Sequence, residues 1–197
     1  MRHLVARLLE QPAVYRAWQA PFVDEKFAPV ARALARRPPR RVLDVGCGPG
    51  TNAARFAGIE YVGIDHNPRY LEVARARHRG TFVCADLATA DLSHLGHFDT
   101  VLVNSFLHHL PDHAVHALLT RLLPRLSADG HLHVLELVRP DQCSMPTLMA
   151  FLDRGRYARS LVAWRALFDR HLDVDVFEPY RFGFGLWAMV HVQGRHR

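Results

Sequence analysis

An α/β fold built on a mostly parallel sheet is what this sequence predicts, on three observations. Short apolar runs alternate with helix-patterned segments from Arg41 to about Val138. The first of those runs, RVLDV, leads straight into a glycine cluster, GCGPG. The last two runs, LDVDVFEPY and GLWAMVHVQG, follow one another with little helical sequence between them. Alternation of this kind builds βαβ units, whose helices cover both faces of a parallel sheet. Two adjacent strands at the end of such a chain suit an antiparallel hairpin at the sheet edge.

Each element has its own signal. Up to about Arg37 the pattern is helical: Leu4, Val5, Leu8 and Leu9 share a face, Pro12 opens a second helix through Val14, Tyr15 and Trp18, and Phe22 to Leu34 makes a third. ARRPPRR ends that helix, with cations at the negative end of its dipole and a Pro-Pro stop. RVLDV is the first strand and TNAARFA opens a helix. EYVGID is the second strand, and PRYLEVARARH a helix with Pro68 in its first turn. TFVCAD and HFDTVLVNS are the third and fourth strands. PDHAVHALLTRLLPRL is a long helix that Pro124 bends or ends, and GHLHVLELV is the fifth strand. A helix is expected near Leu161 to Phe168, before the two closing strands. The whole is a seven-stranded sheet with helices on both faces and an antiparallel edge strand.

Composition narrows the class. The chain has 197 residues, of which 49% are hydrophobic and 22% charged, a balance and length that suit one globular domain able to bury its own core. Its formal charge is +6, with fourteen histidines. A basic balance invites an anionic partner, but no long basic block interleaved with aromatics marks a nucleic-acid surface, so no specific nucleic acid is expected. Cys47, Cys84 and Cys143 are odd in number and far apart, which fits neither a disulfide framework nor paired zinc ligands. The histidines likewise lack H-E-x-x-H spacing, so no metal is expected. MRHLVARLLEQPAVY interrupts its apolar residues with Arg7 and Glu10, unlike a signal peptide. No apolar run approaches the ~20 residues of a membrane span. A reducing cytoplasm is the expected location.

The glycine loop decides what the strands carry. A glycine-bearing strand-to-helix turn is a nucleotide-cofactor signal. Here the third glycine comes one residue early for G-x-G-x-x-G, and Pro49 removes a backbone amide from the loop, so pyrophosphate fits poorly. No Gly-Lys-Ser/Thr follows, so it is not a P-loop. Asp65 follows Gly46 by nineteen residues, close to the ~20 at which such folds place a ribose-binding carboxylate. An ionised carboxylate only accepts, so it can take both hydrogens of a diol. Asp86 repeats the arrangement after the third strand, where it could face an adenine amine. The loop thus reads as holding an adenosine attached to a compact group without pyrophosphate.

VLDVGCGPG, GID ending in Asp65, CADL with Asp86, and FDTVLVNSFLHHLPD together resemble the class I S-adenosylmethionine-dependent methyltransferases, over about Arg41 to Val138. The resemblance implies a Rossmann-like fold. It would divide the chain into N-terminal lid helices over 1–38, a cofactor-binding core over 39–138, and a substrate-side insertion with closing strands over 139–197. It implies S-adenosyl-L-methionine as cofactor. Gly46, Gly48 and Gly50, with Cys47, would let the backbone approach the methionyl part; Asp65, beside His66, would bind the ribose; Asp86 and the amide of Leu87 would hold the adenine. Asp44 would support the loop and orient the cofactor's ammonium, with Asn104 close by at the end of the fourth strand. Tyr15, on a lid helix with Trp18 and Gln19, would meet the cofactor carboxylate.

The acceptor belongs at the end of the fourth strand, beside the sulfonium. That end reads Asn104-Ser105-Phe106-Leu107-His108-His109. It lacks the Asp/Asn-Pro-Pro-Tyr/Phe of base N-methylation and the clustered carboxylates of metal-dependent catechol methylation. What remains is similar to the small-molecule branch that methylates quinones and natural products on oxygen or carbon, with an acidic or aromatic acceptor. His108 or His109 would serve as general base, His108 ahead of His109, whose place before Pro111 and Asp112 suits a helix entry. Arg154, Arg156, Tyr157 and Arg159 could bind an acidic acceptor. Two other functions share the same cofactor motifs: RNA methylation, and a protein that binds the cofactor without transferring its methyl, as a pericyclase-like catalyst or a regulator.

Overall fold

The computed structural model describes residues 22–140, 146–147 and 156–197. The helices expected before Phe22, with Tyr15, Trp18 and Gln19, lie outside the described residues, as does Arg154. Helix α1 (Val23–Arg36) precedes strand β1 (Arg41–Val45). Then follow β2 (Glu60–Asp65), α2 (Pro68–Arg77), β3 (Thr81–Cys84) and β4 (Phe98–Asn104). Helix α3 (Asp112–Leu122), β5 (Leu126–Leu137), α4 (Leu161–Phe168), β6 (Leu172–Phe182) and β7 (Trp187–His196) complete the order.

The strands form one sheet in the order β3-β2-β1-β4-β5-β7-β6. β1 to β5 run parallel, in a register that sets Leu43 beside Val62 and Val101. The closing hairpin lies at the edge. Within it β7 runs against β5 and β6, pairing Leu137 with Met189 and Phe182 with Trp187. Its turn, Gly183 to Leu186, holds three successive positive φ angles.

The two faces follow from the side-chain alternation of buried strands. Leu43, Val101, Val103, Leu132 and Val134 pack on α3 and α4 through Leu118, Leu122, Trp164 and Phe168. Val42, Leu102, Leu135 and Leu137 face α1 and α2 through Phe27, Val30 and Leu71. Asn67 caps α2 by accepting from the Arg69 amide at 3.0 Å, with Pro68 at the first position, as its sequence signal requires. Pro124 ends α3, which passes into a single 3₁₀ turn over Leu123–Arg125.

One element departs from expectation. TNAARFA does not open an α-helix; it makes a 3₁₀ turn over Ala53–Phe56. β2 must begin at Glu60 to pair with Arg41, and Gly58, at φ +83°, turns the chain into it. Too few residues separate the glycine loop from that turn for a longer helix. The shortened turn brings Asn52 back beneath the loop, where it becomes part of the site.

Candidate active site

A cleft of about 760 Å³ opens at the carboxyl ends of β1 to β4, where an α/β sheet places its ligands. Four loops line it: Gly46 and Gly48 after β1, Asp65 and His66 after β2, Asp86 and Leu87 after β3, and Ser105, Phe106 and His109 after β4. Gly46 sits at φ +73°, and a Cβ there would lie 2.7 Å from the Phe106 ring. A Cβ on Gly48, at φ +57°, would meet nothing within 4 Å, so the backbone here lies bare toward the cleft. Gly50 lies away from the lining and abuts α2, at Ala74 and His78.

Asp65 is held ready by its own loops. Its Oδ2 accepts the Gly48 amide at 2.9 Å and its Oδ1 the Asn67 amide at 2.8 Å. A carboxylate has about four acceptor positions, so two remain for a diol. His66, mostly exposed, places Nδ1 3.6 Å from Asp65 Oδ1. Asp86 is exposed and caps the turn after β3, accepting from the Ala88 amide at 2.9 Å and standing 3.4 Å from the Thr89 hydroxyl.

Three of the residues expected at the cofactor lie beneath the lining. Cys47 is buried against Gly63, where a Cβ would meet its Sγ at 2.8 Å, and burial drives its thiol far above the usual range. Its side chain supports the loop from below. Asp44 is fully buried; its Oδ2 accepts from the Tyr61 hydroxyl at 2.7 Å and from Asn52 at 3.3 Å, while Oδ1 has no partner among the described residues. Desolvation raises its pKa to about 6 despite those two donors. Asn104 donates to Asn52 at 3.3 Å, and its own Oδ1 is buried without a partner among the described residues. Tyr61, Asp44, Asn52 and Asn104 therefore form a polar chain under the glycine loop. Two buried acceptor oxygens without donors among the described residues suit a site made for a cation or ammonium. Sequence reasoning missed Asn52 and Tyr61, because neither carries a motif and the network depends on the short 3₁₀ turn.

The histidine pair is placed the opposite way to expectation. His109 lines the cleft, whereas His108, the favoured base on sequence grounds, is 2% exposed and lies behind it. Its Nδ1 is 2.6 Å from Oε2 of Glu136, a fully buried carboxylate on β5. Oε1 of Glu136 accepts the amides of Phe106 and Leu107 at 2.8 and 2.5 Å. Burial alone would raise the Glu136 pKa, but His108 and the two amides together bring it below the ordinary carboxylate value. The His108 and His109 rings stand 4.3 Å apart. Glu136 went unread because it sits in an apolar strand; a charge within LHVLELV was its one signal.

The basic segment before α4 is corrected too. Arg159 is spent inside the protein: it donates to Asp112 and to the carbonyls of Leu107, Leu110 and Tyr157, and its guanidinium lies over Trp164. Arg156 and Tyr157 are exposed and do not line the cleft.

A sheet of this order, with a glycine loop and a carboxylate-bearing cleft at its switch point, defines a Rossmann-like cofactor-binding protein. A family model described as a methyltransferase domain matches residues 42–130. The chain is 42% identical over 144 residues to a trans-aconitate 2-methyltransferase of Methylobacterium radiotolerans, an alignment that takes in 69% of this chain and 51% of that protein. It thus spans about half the length of the curated relatives it matches. Among solved structures, the N-methyltransferase NodS of Bradyrhizobium japonicum, in complex with S-adenosyl-L-homocysteine, superposes with a TM-score of 0.76 at 16% identity, covering 98% of this chain and 97% of that one. A pericyclic reaction enzyme shares the fold at a TM-score of 0.65 and 16% identity, over 82% of this chain and 44% of that one. Residues 42–130 match a methyltransferase domain, and with the relatives they support a class I S-adenosylmethionine-dependent methyltransferase with S-adenosyl-L-methionine as cofactor.

Proposed function

We propose that this protein transfers a methyl group to an oxygen or carbon of a small organic acceptor, and that a carboxylate oxygen of an acidic acceptor is the foremost target. One observation carries the reading. The two carboxylates among the described lining residues, Asp65 and Asp86, stand at the β2 and β3 ends, while the β4 end presents Ser105, Phe106, His109 and Leu110. An anion entering there meets no carboxylate among the described residues of the β4 end and finds an imidazole. The trans-aconitate methyltransferase relatives point to the same acceptor class.

On this reading Asp65 takes the ribose diol with its two remaining acceptor positions. The bare backbone at Gly48, with Gly46 beside it under the Phe106 ring, lies along the methionyl chain. Asp44, with Asn104, offers its unpartnered oxygen to the ammonium, and the Leu87 amide meets the adenine. When bound, the cofactor supplies an electrophilic methyl on a sulfonium, open to in-line attack. The protein's share is proximity and a dry, oriented pocket. A carboxylate acceptor has no proton to lose, so His109 orients it by hydrogen bonding; a phenol or enol acceptor would need His109 as base. Two free thiols among the described residues, Cys47 and Cys84, support a reducing cytoplasmic setting. No described helix is long and apolar enough to cross a membrane.

The test is turnover of labelled S-adenosylmethionine with a panel of di- and tricarboxylic acids, phenols and short RNAs, read by S-adenosylhomocysteine release and product mass. The expected product is an alkali-labile methyl ester. Methylation confined to phenols or to RNA would refute the acidic acceptor. Tight cofactor binding without release against every class would favour the non-methylating function.

A further inference from the structure

The loop that presents Phe106 and His109 to the cleft is gripped from two sides by buried charges of opposite sign. On one side stands the Glu136 carboxylate, on the amides of Phe106 and Leu107 and on His108 Nδ1. An ionised carboxylate has no hydrogen to give, so Nδ1 of His108 carries it. On the other side stands Arg159, 7% exposed. Its Nη1 donates to the Leu107 carbonyl at 3.2 Å and the Tyr157 carbonyl at 3.0 Å, its Nη2 to the Leu110 carbonyl at 2.8 Å, and its Nε to Asp112 at 2.7 Å. The backbone joins the same grip: the Tyr157 amide donates to the His108 carbonyl at 2.9 Å, and Arg159 bridges Val138 at the end of β5.

The chemistry is specific to a guanidinium. Arg159 reaches three carbonyls and one carboxylate from a single planar fork, which the point charge of a lysine cannot reproduce. Its carbonyl partners Leu107 and Leu110 lie on a stretch whose own backbone bonds amount to a single 3₁₀ turn over Leu107–His109, so these side chains hold that turn in place against the rest of the protein. The contacts at Leu107 and Leu110 flank His109 on both sides.

We propose that Arg159 is a positioning residue for methyl transfer: reaching from the segment before α4, it fixes the Phe106–Leu110 loop so that His109 meets the acceptor. This rests on the reading of the β4 end as the acceptor site. It also makes the segment from Arg156 to Ser160 mechanically continuous with that site, although only Arg159 among its arginines is buried. The cofactor half of the cleft, on the β1 to β3 loops, receives no bond from Arg159.

The test compares Arg159→Ala and Arg159→Lys with the wild type. Each is measured for S-adenosylhomocysteine affinity by calorimetry, for acceptor kinetics, and for the histidine ring signals by NMR. Affinity for S-adenosylhomocysteine should hold, while kcat/KM for the acceptor falls by about 10²-fold in Arg159→Ala, the scale of a misplacement near one ångström. Arg159→Lys should recover little of it, and added guanidinium should restore part of the turnover of Arg159→Ala. The His108 Nδ1 proton should persist at low field in both variants, showing Glu136 still in place, while the His109 signals shift and broaden. Wild-type acceptor kinetics in folded Arg159→Ala would overturn the proposal, as would parallel losses of turnover and S-adenosylhomocysteine affinity. Should Arg159→Ala fail to fold, Arg159→Lys carries the same comparison, and its full activity would overturn the proposal. If the wild type methylates no acceptor, the functional reading fails by itself. The histidine signals in the S-adenosylhomocysteine complex then decide the clamp, and unchanged His109 signals would reject it.

Discussion

Acidification from pH 7.5 to 5 should destabilise this protein through two histidines far from the cleft. His133 on β5 and His191 on β7 are 3% and 2% exposed, with stacked rings 5.7 Å apart and their Nδ1 and Nε2 atoms 3.4 Å apart. Burial pushes their pKa values down to about 3 and about 4, helped for His133 by its histidine neighbours and for His191 by Arg32. The charged groups around them are Arg32 from α1 and Arg37 just after it, Glu178 paired with Arg32 and Asp175 near His131 from β6, Arg195 of β7 paired with Asp175, and His131 itself. In the unfolded chain a histidine titrates near ~6.5. Between that value and the folded pKa the unfolded state binds more protons, so stability is full above about pH 6.5 and falls as pH drops. At pH 5 the unfolded histidine is almost fully charged while the native one is still neutral, which costs about 2 kcal/mol for each ring. The pair then removes about 4 kcal/mol from a total that is ordinarily 5–15 kcal/mol. Urea unfolding at pH 7.5 and 5, on the wild type and His191→Phe, isolates the contribution, because every other titrating group cancels in the comparison. The variant should lose about 2 kcal/mol less than the wild type over that interval. Equal losses would mean that His191 is protonated or solvated in the native protein, and the reasoning from burial would fail.

Three further outcomes follow from the site. Asp65→Ala should weaken S-adenosylhomocysteine binding by about 2–3 kcal/mol in calorimetry, since the charge-assisted contacts to the diol are lost and the Gly48 amide is released; unchanged affinity would remove Asp65 from the ribose. Tyr61→Phe strips a donor from buried Asp44, whose pKa is already raised to about 6. It should cost about 1–3 kcal/mol above pH 6, where Asp44 must stay ionised, and less as pH falls and Asp44 takes up a proton; unfolding curves at pH 8 and 5 test the sign. The histidine pair should separate by assay. His109→Gln should raise the KM of a carboxylate acceptor, or cut kcat by about 10²–10⁴ for one that must lose a proton. His108→Gln strands the Glu136 carboxylate and should instead lower stability by about 3–5 kcal/mol in urea. Reversal of those two phenotypes would return His108 to the chemistry.

The fold was readable because its signals are local. Each parallel strand is an apolar run, each helix has a cap or a proline, and GCGPG followed by Asp65 fixes which strand ends meet. The 3₁₀ turn at Ala53–Phe56 was not readable as such, since its length is set by where β2 must pair with β1. The cleft lining at the β1 to β3 ends was legible for the same reason as the fold: its residues are loop positions directly after strands, in a fixed order along the chain. The lining at the β4 end was not. Which of two adjacent histidines faces the cleft depends on Glu136, 28 residues beyond His108 on β5, and on Arg159, 52 residues beyond Leu107. Both read as ordinary residues of their segments, a charge in a strand and a cation in a basic run, until the topology carries β5 alongside β4.

That contrast has a physical source. The cofactor loops are shaped by backbone: positive φ at Gly46 and Gly48 and amides aimed at Asp65. Backbone shape is encoded by which residue types tolerate it, so it shows in sequence. The acceptor loop is shaped by side chains from distant segments, a buried anion on its amides and a buried cation on its carbonyls. Buried charges of that kind are costly when a partner is lost. Loss of either one therefore acts on the loop twice, by removing its hydrogen bonds and by stranding the polar groups that made them. An arrangement with that penalty holds one loop geometry against its alternatives. It also leaves the outer surface of the segment before α4, including Arg156 and Tyr157, open to change without disturbing His109. Exchanging Arg156, exposed and off the cleft, for glutamate should accordingly leave acceptor KM, kcat and S-adenosylhomocysteine affinity as they are. A fall in kcat instead would show that the outer surface and the clamp are not separable.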